Sequence, residues 1–145
     1  MKLSCEIALP EDVDVIFRLC KDLVDRYEDV REIPYGDVMA WIRRKIEKEI
    51  HSYTRIYADG VHAGFYRFTA NGEKMELDDL YIFPEFQRKG IGTAVIEKCC
   101  RETEKSVMLY VFIRNTEAWK LYQRLGFEIR ENIRNSRYIM VRGNL

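Results

Sequence analysis

The chain has 145 residues, enough for about one domain that buries roughly two-thirds of its unfolded surface. Hydrophobic residues at 47% and charged residues at 33% exclude a disordered or membrane-embedded chain. Lys plus Arg and Asp plus Glu balance at 24 each, so no overall field draws in nucleic acid or an acidic membrane, and any basic site is local.

Met1 to Glu6 holds no apolar run of signal-peptide type, and no segment approaches bilayer-spanning length. The expectation is a cytoplasmic location without membrane contact. Leu3 to Ala8 reads as a first strand. Pro10-Glu11-Asp12 then opens a helix whose stripe is Val13, Ile16, Phe17, Cys20, Leu23, Val24 and Tyr27. Glu28 to Gly36, with Pro34 and Gly36, reads as a loop. Val38, Trp41, Ile42, Ile46 and Ile50 mark a second helix. Three strands follow, about 52–58, 61–70 and 74–82, joined at Asp59-Gly60 and Asn71-Gly72. Both dipeptides tolerate the positive φ of tight hairpins, which predicts an antiparallel meander.

After a break at Pro84, Ile91, Ala94, Val95, Lys98 and Cys99 lie at helical spacing. Ser106 to Phe112 reads as a strand buried on both faces, so strand, helix and strand form a parallel crossover. Asn115-Thr116 starts a further helix that stops at Gly126, and 127–133 with 137–141 closes the sheet as an antiparallel pair. The fold class is α/β (α+β): a mixed, mainly antiparallel sheet of about seven strands flanked by four helices, in the order βααβββαβαββ. Cys5, Cys20, Cys99 and Cys100 show no metal or redox spacing and read as reduced apolar residues; no metal is expected.

The stretch Gln87-Arg88-Lys89-Gly90-Ile91-Gly92-Thr93 is a basic, glycine-bearing turn opening a helix, where unpaired backbone N–H groups suit phosphate oxygens. It is no P-loop, since Lys89 precedes Gly90 and no earlier glycine has the needed spacing. It is no dinucleotide fingerprint, since Val95 stands where a third glycine belongs. The pattern Gln-x-x-Gly-x-Gly after Ile82-Phe83-Pro84 resembles the acyl-CoA motif of the GNAT superfamily of N-acyltransferases. Asn115-x-x-Ala118-x-x-Leu121-Tyr122-x-x-x-Gly126-Phe127 resembles its second motif. The element order is similar to that superfamily's whole fold.

This resemblance implies one N-acetyltransferase domain over residues 1–145, with acetyl-CoA as cosubstrate and a primary amine of a small molecule or peptide as acceptor. It implies that Gln87, Arg88, Lys89, Gly90, Ile91, Gly92 and Thr93 hold the diphosphate. Tyr81, Ile82 and Phe83 offer backbone groups to the pantetheine arm, with an N–H near Ile82 for the oxyanion, and Asn115 binds the arm. Tyr122 matches the general acid, and Glu76 resembles the catalytic glutamate of the histone-acetyltransferase branch. The chain departs from the ribosomal-type N-terminal acetyltransferases, which carry a glutamate on strand five where this chain has Tyr110.

Alternation sends Glu76 and Asp78 to one face of strand four and Asp79 to the other, unless a bulge intervenes. Without the resemblance, Tyr122 reads as core, and Glu76, Asp78 and Asp79 as solvated strand residues or ion-pair partners. His51 and His62 read as surface or capping residues. Tyr27, Tyr35 and Trp41 are expected between the first two helices and the sheet, and the 28–36 loop beside the acceptor. The alternative function is a non-catalytic acyl-CoA-binding sensor or interaction module. A homodimer and the acceptor's identity stay open.

Overall fold

The computed structural model describes residues 1–143. The elements are β1 (Leu3–Ile7), α1 (Val13–Tyr27), α2 (Tyr35–Glu49), β2 (Tyr53–Ala58), β3 (Val61–Asn71), β4 (Lys74–Ile82), α3 (Ile91–Arg101), β5 (Val107–Phe112), α4 (Thr116–Arg124), β6 (Glu128–Ile133) and β7 (Arg137–Arg142). They form one sheet in the order β1-β2-β3-β4-β5-β7-β6. The β2–β3–β4 meander is antiparallel, and β4–β5 is the parallel pair. Asp59 and Gly60 both take positive φ, as their hairpin turn requires.

Two apolar clusters, one on each face, hold the sheet. On one face Ile91, Val95, Ile96 and Cys99 of α3, with Ala118, Trp119, Tyr122 and Leu125 of α4, pack on Leu77, Val107, Leu109, Val111 and Met140. On the other, Val13, Ile16 and Cys20 of α1 and Ile46 of α2 pack on Tyr53 and Phe65, with Tyr81 and Phe83 at their edge. Asp12 fixes the start of α1. It is only 5% exposed, accepts the Leu9 N–H at 2.8 Å, and takes two Arg55 hydrogen bonds at 2.7 Å each. Burial alone would raise its carboxyl pKa, but Arg55 and the Leu9 N–H outweigh this and hold it below the usual range.

Three local expectations are corrected. Helix α2 begins at Tyr35, because the Pro34 carbonyl accepts the Val38 N–H at 3.0 Å and closes the first turn through Gly36. Trp41 is 59% exposed: the inward stripe of α2 runs Ile42, Ile46 and on to Ile50 just past the helix end, which turns Trp41 outward. On β5, Val107, Met108, Leu109 and Val111 are buried but Tyr110 is 39% exposed, with the Arg137 guanidinium 4.8 Å above its ring. The four cysteines are unpaired.

Candidate active site

Strands β4 and β5 are paired only at Met75–Val107 and Glu76–Met108, yet β4 continues to Ile82 and β5 to Phe112. Beyond Glu76 the two strands part and leave an opening in the sheet. The Phe83 N–H donates to the Ala63 carbonyl at 2.8 Å, and Tyr81 is paired with Phe65, so those backbone groups face β3. Alternation turns the N–H and C=O of Ile82 the other way, into the opening. The Ile82 carbonyl accepts the Gln87 side-chain amide at 2.9 Å, which ties the following turn to the strand end.

That turn is exposed and strained where a ligand would approach. Arg88 has φ +62° and Gly90 φ +81°, left-handed values that glycine adopts without penalty and arginine does not. The first intrahelical bond of α3 is Ala94 N–H to Gly90 C=O at 3.0 Å, so the N–H groups of Ile91, Gly92 and Thr93 have no acceptor one turn earlier. Ile91 anchors this end by burying its side chain. A Cβ on Gly92 would touch only Ile82 Cγ1, at 3.9 Å, so packing does not demand this glycine and the space over the helix end stays open. Lys89 lies over the Phe86 ring, and neither Arg88 nor Lys89 has an ion-pair partner among the described residues.

On the α3/α4 face, Asn115 caps α4, its Oδ1 accepting the Ala118 N–H at 3.4 Å, and thereby sets the helix at the end of β5. One face of α4 then carries Tyr122 inward, its ring 6.0 Å from that of Phe127. Its hydroxyl has no hydrogen-bond partner among the described residues, and burial pushes the phenol up to about 12. The core reading of Tyr122 is therefore true of the ring, which lies on the α3/α4 face of the sheet.

On the opposite face stand the carboxylates. Leu77 belongs to the α3/α4 side, so Glu76 and Asp78 point to the α1/α2 side. The register slips between Phe65–Tyr81 and Arg67–Asp78, a bulge in which Asp79 takes φ +49°. The bulge puts Asp79 on the same face as Asp78 and Glu76, which corrects the alternating assignment. Asp78 pairs with Lys45 at 2.6 Å and Arg67 at 3.8 Å. Asp79 accepts the Tyr53 hydroxyl at 2.6 Å, and the Tyr81 hydroxyl stands 3.2 Å from both Asp79 Oδ1 and Cys20 Sγ. Burial, then repulsion from Asp78, raises the Asp79 carboxyl to about 6. Burial first, and the Asp79 charge second, push the Tyr53 and Tyr81 phenols far above the ordinary range. Glu76 sits at the closed end of the opening, its Oε1 held by Asn71 Nδ2 at 2.9 Å.

A model of the acetyltransferase (GNAT) family matches residues 16–127. The chain belongs to that family. An uncharacterized N-acetyltransferase of Methanocaldococcus jannaschii is 36% identical over 66 residues, 43% of this chain and 29% of that protein, so the chain spans under a third of this relative. The spermidine N(1)-acetyltransferase of Thermoplasma acidophilum is 28% identical over 120 residues, 71% of this chain and 74% of its own. Among solved structures, the PaiA N-acetyltransferase from Thermoplasma acidophilum in complex with coenzyme A superposes with a TM-score of 0.70 at 22% identity, over 99% of both chains. An acetyltransferase from Thermus thermophilus reaches 0.73 at 16% identity, over 99% of this chain and 97% of that one. The GNAT fold is thereby shown.

Within this GNAT fold the turn 87–93 is tied to Ile82 at the end of β4, Asn115 closes the turn just after β5, and Tyr122 lies on the α3/α4 face. What the sequence reading missed is the group around the bulge, namely Tyr53 of β2, Lys45 of α2 and Arg67 of β3. Its one sequence signal is the adjacent acid pair Asp78-Asp79 within an otherwise apolar strand end. His62, expected at the surface, is half-buried against Phe65 and Phe83, with Nε2 3.1 Å from the Gly64 carbonyl oxygen, and burial lowers its pKa. Among the described residues no group of side chains could hold a metal ion, and no helix is long and apolar enough to cross a membrane.

Proposed function

We propose that residues 1–145 act as one N-acetyltransferase domain that moves the acetyl group of acetyl-CoA directly to a primary amine of a small molecule or peptide. The observation that carries this reading is the opening between β4 and β5, with a proton donor on one face and carboxylates on the other. The diphosphate rests on the N–H groups of 91–93, with Gln87 bracing the turn, Gly90 shaping it, and Arg88 and Lys89 adding charge. The arm enters the opening along Ile82 and is received by Asn115 near the end of β5. Tyr81 and Phe83 hold the strand edge through their bonds to β3 rather than through bonds to the arm.

The amine approaches from the α1/α2 face, where Glu76, Asp78 and Asp79 supply the proton acceptor. Its lone pair attacks the thioester carbon, and a backbone N–H near Ile82 steadies the oxyanion, a contribution of about 3 kcal/mol for one preorganised donor. The thiolate leaves toward the α3/α4 face and takes a proton from Tyr122, which its raised pKa keeps protonated at neutral pH. Four unpaired cysteines fit a reducing compartment, the cytoplasm. The test is a panel of amines, spermidine included, assayed by free-thiol release from acetyl-CoA. Acceptor-dependent release supports transfer; CoA binding with no release on any amine supports the non-catalytic module instead.

A further inference from the structure

The carboxylates around the β4 bulge outnumber their cations. Lys45 and Arg67 face Asp78, Asp79 and Glu49: Lys45 is 2.6 Å from Asp78 and 3.8 Å from Asp79, and Arg67 is 3.5 Å from Glu49 and 3.8 Å from Asp78. The nearer ion pairs leave Asp79 as the acid in excess. It is held by the phenols of Tyr53 and Tyr81, with Cys20 of α1 beyond, and its side chain is 15% exposed. Buried charge of this kind is costly until a cation completes the set.

Its place along β4 singles out the same residue. A CoA held at 87–93 sends its arm back along β4 from Ile82 toward the closed end at Glu76–Met108. The thioester then lies between those limits, at the bulge, where Asp79 is turned onto the amine face at the expense of a left-handed backbone. Glu76 lies at the closed end, engaged by Asn71, and Asp78 is neutralised by Lys45.

Resting on the acetyl-transfer reading above, we infer that Asp79, rather than Glu76, receives the acceptor: its carboxylate binds the ammonium of a primary alkylamine and takes its proton. The C–N bond then forms as the C–S bond breaks. Of the two protons nitrogen loses, the first goes to Asp79 and on to water, and the second leaves the nitrogen for water as the amide forms, offset by the proton that Tyr122 gives the thiolate and regains from solvent. Tyr53 and Tyr81 are positioning residues that hold the carboxylate. The base form of Asp79 is present above about pH 6, so its contribution to rate rises with pH through that value.

The probe is 1,4-diaminobutane. At saturating acetyl-CoA, kcat/KM is measured against pH for the wild type, Asp79→Asn and Glu76→Gln. The wild type should show an ascending step centred near pH 6. Asp79→Asn should lose that step and about 100-fold in rate, the lower end for a lost general base, while Glu76→Gln keeps the step. A step retained in Asp79→Asn overturns the assignment. Independently of turnover, the Asp79 carboxyl carbon is titrated by NMR with and without 1,4-diaminobutane. A lower midpoint with the diamine supports ammonium binding even if no acetyl is transferred, which would refute only the transfer reading; an unmoved midpoint refutes the inference. Tyr53→Phe should also shift that midpoint, a readout that a purely packing role would leave in place.

Discussion

Gly64 is the place where a single methyl group should disable both fold and site. It lies on β3 opposite Ile82. A Cβ built on it overlaps the Tyr81 carbonyl oxygen outright and falls 3.0 Å from the Tyr81 carbonyl carbon and 3.1 Å from Ile82 Cα, all backbone atoms of β4. Ordinary contact begins at 3.4 Å, so Gly64→Ala must push the strand pair apart. Neither partner is a flexible side-chain end that swings away. Overpacking of this kind costs about 1–3 kcal/mol. Weakening a ladder bond such as Phe83 N–H to Ala63 C=O adds about 1 kcal/mol. A total of about 3 kcal/mol lowers Tm by roughly 10 °C in a chain of this size. Because the displaced atoms carry Ile82, the edge of the opening moves too, and CoA affinity should fall at least about tenfold, as displacements near 1 Å commonly cost that much or more. Differential scanning calorimetry and isothermal titration with CoA measure the two effects. A variant with wild-type Tm and wild-type CoA affinity would refute the close β3–β4 approach as the basis of the site.

Tyr122→Phe removes a hydroxyl with no hydrogen-bond partner among the described residues, so Tm should change little while kcat falls about 100-fold or more and acetyl-CoA affinity is kept; turnover near wild type would remove it from the mechanism. Asp12→Ala strips Arg55 of its buried partner and should cost about 3 kcal/mol by denaturant unfolding near pH 7. Asp12 has a lowered folded-state pKa, so this stabilisation is present above the ordinary carboxylate value and is lost as pH falls through the folded one; the gap between variant and wild type should narrow below about pH 4. Glu28→Ala frees the chain after α1 from the β6–β7 turn, where the Ser136 hydroxyl now donates to Glu28 at 2.5 Å. It should change KM for the acceptor with KM for acetyl-CoA unaltered, and steady-state kinetics varying each substrate separates the two.

The element order was readable because turn chemistry and periodicity agreed along the chain. Asp59-Gly60 marked a hairpin, the apolar stripe of α1 fitted a helix, and Gln87 to Gly92 with Asn115 to Phe127 carried the motifs from which a cofactor side is proposed. The proposed acceptor side was less legible because it is made by tertiary geometry. The bulge at Asp79 depends on how β3 and β4 register, and strict alternation sends that carboxylate to the wrong face. Trp41 looked like core because an aromatic residue beside an apolar stripe resembles one, yet a rotation of one residue along α2 sets it in solvent. Tyr110 looked buried because its neighbours are apolar, but its side chain points away from the cluster that buries Val107, Leu109 and Val111. Asn71, Met108, Tyr110 and Ile139 instead line a hollow of about 320 Å³ on the other face.

The proposed reaction passes acetyl directly from thioester to amine across the β4–β5 opening. Initial-rate kinetics, with acetyl-CoA and the best acceptor from the amine panel varied together, distinguishes it from transfer through an acetylated enzyme. Direct attack predicts intersecting double-reciprocal lines, one N-acetylated product per thiol released, and no acetylated protein in the absence of acceptor. Parallel lines with an acetylated enzyme intermediate would contradict it.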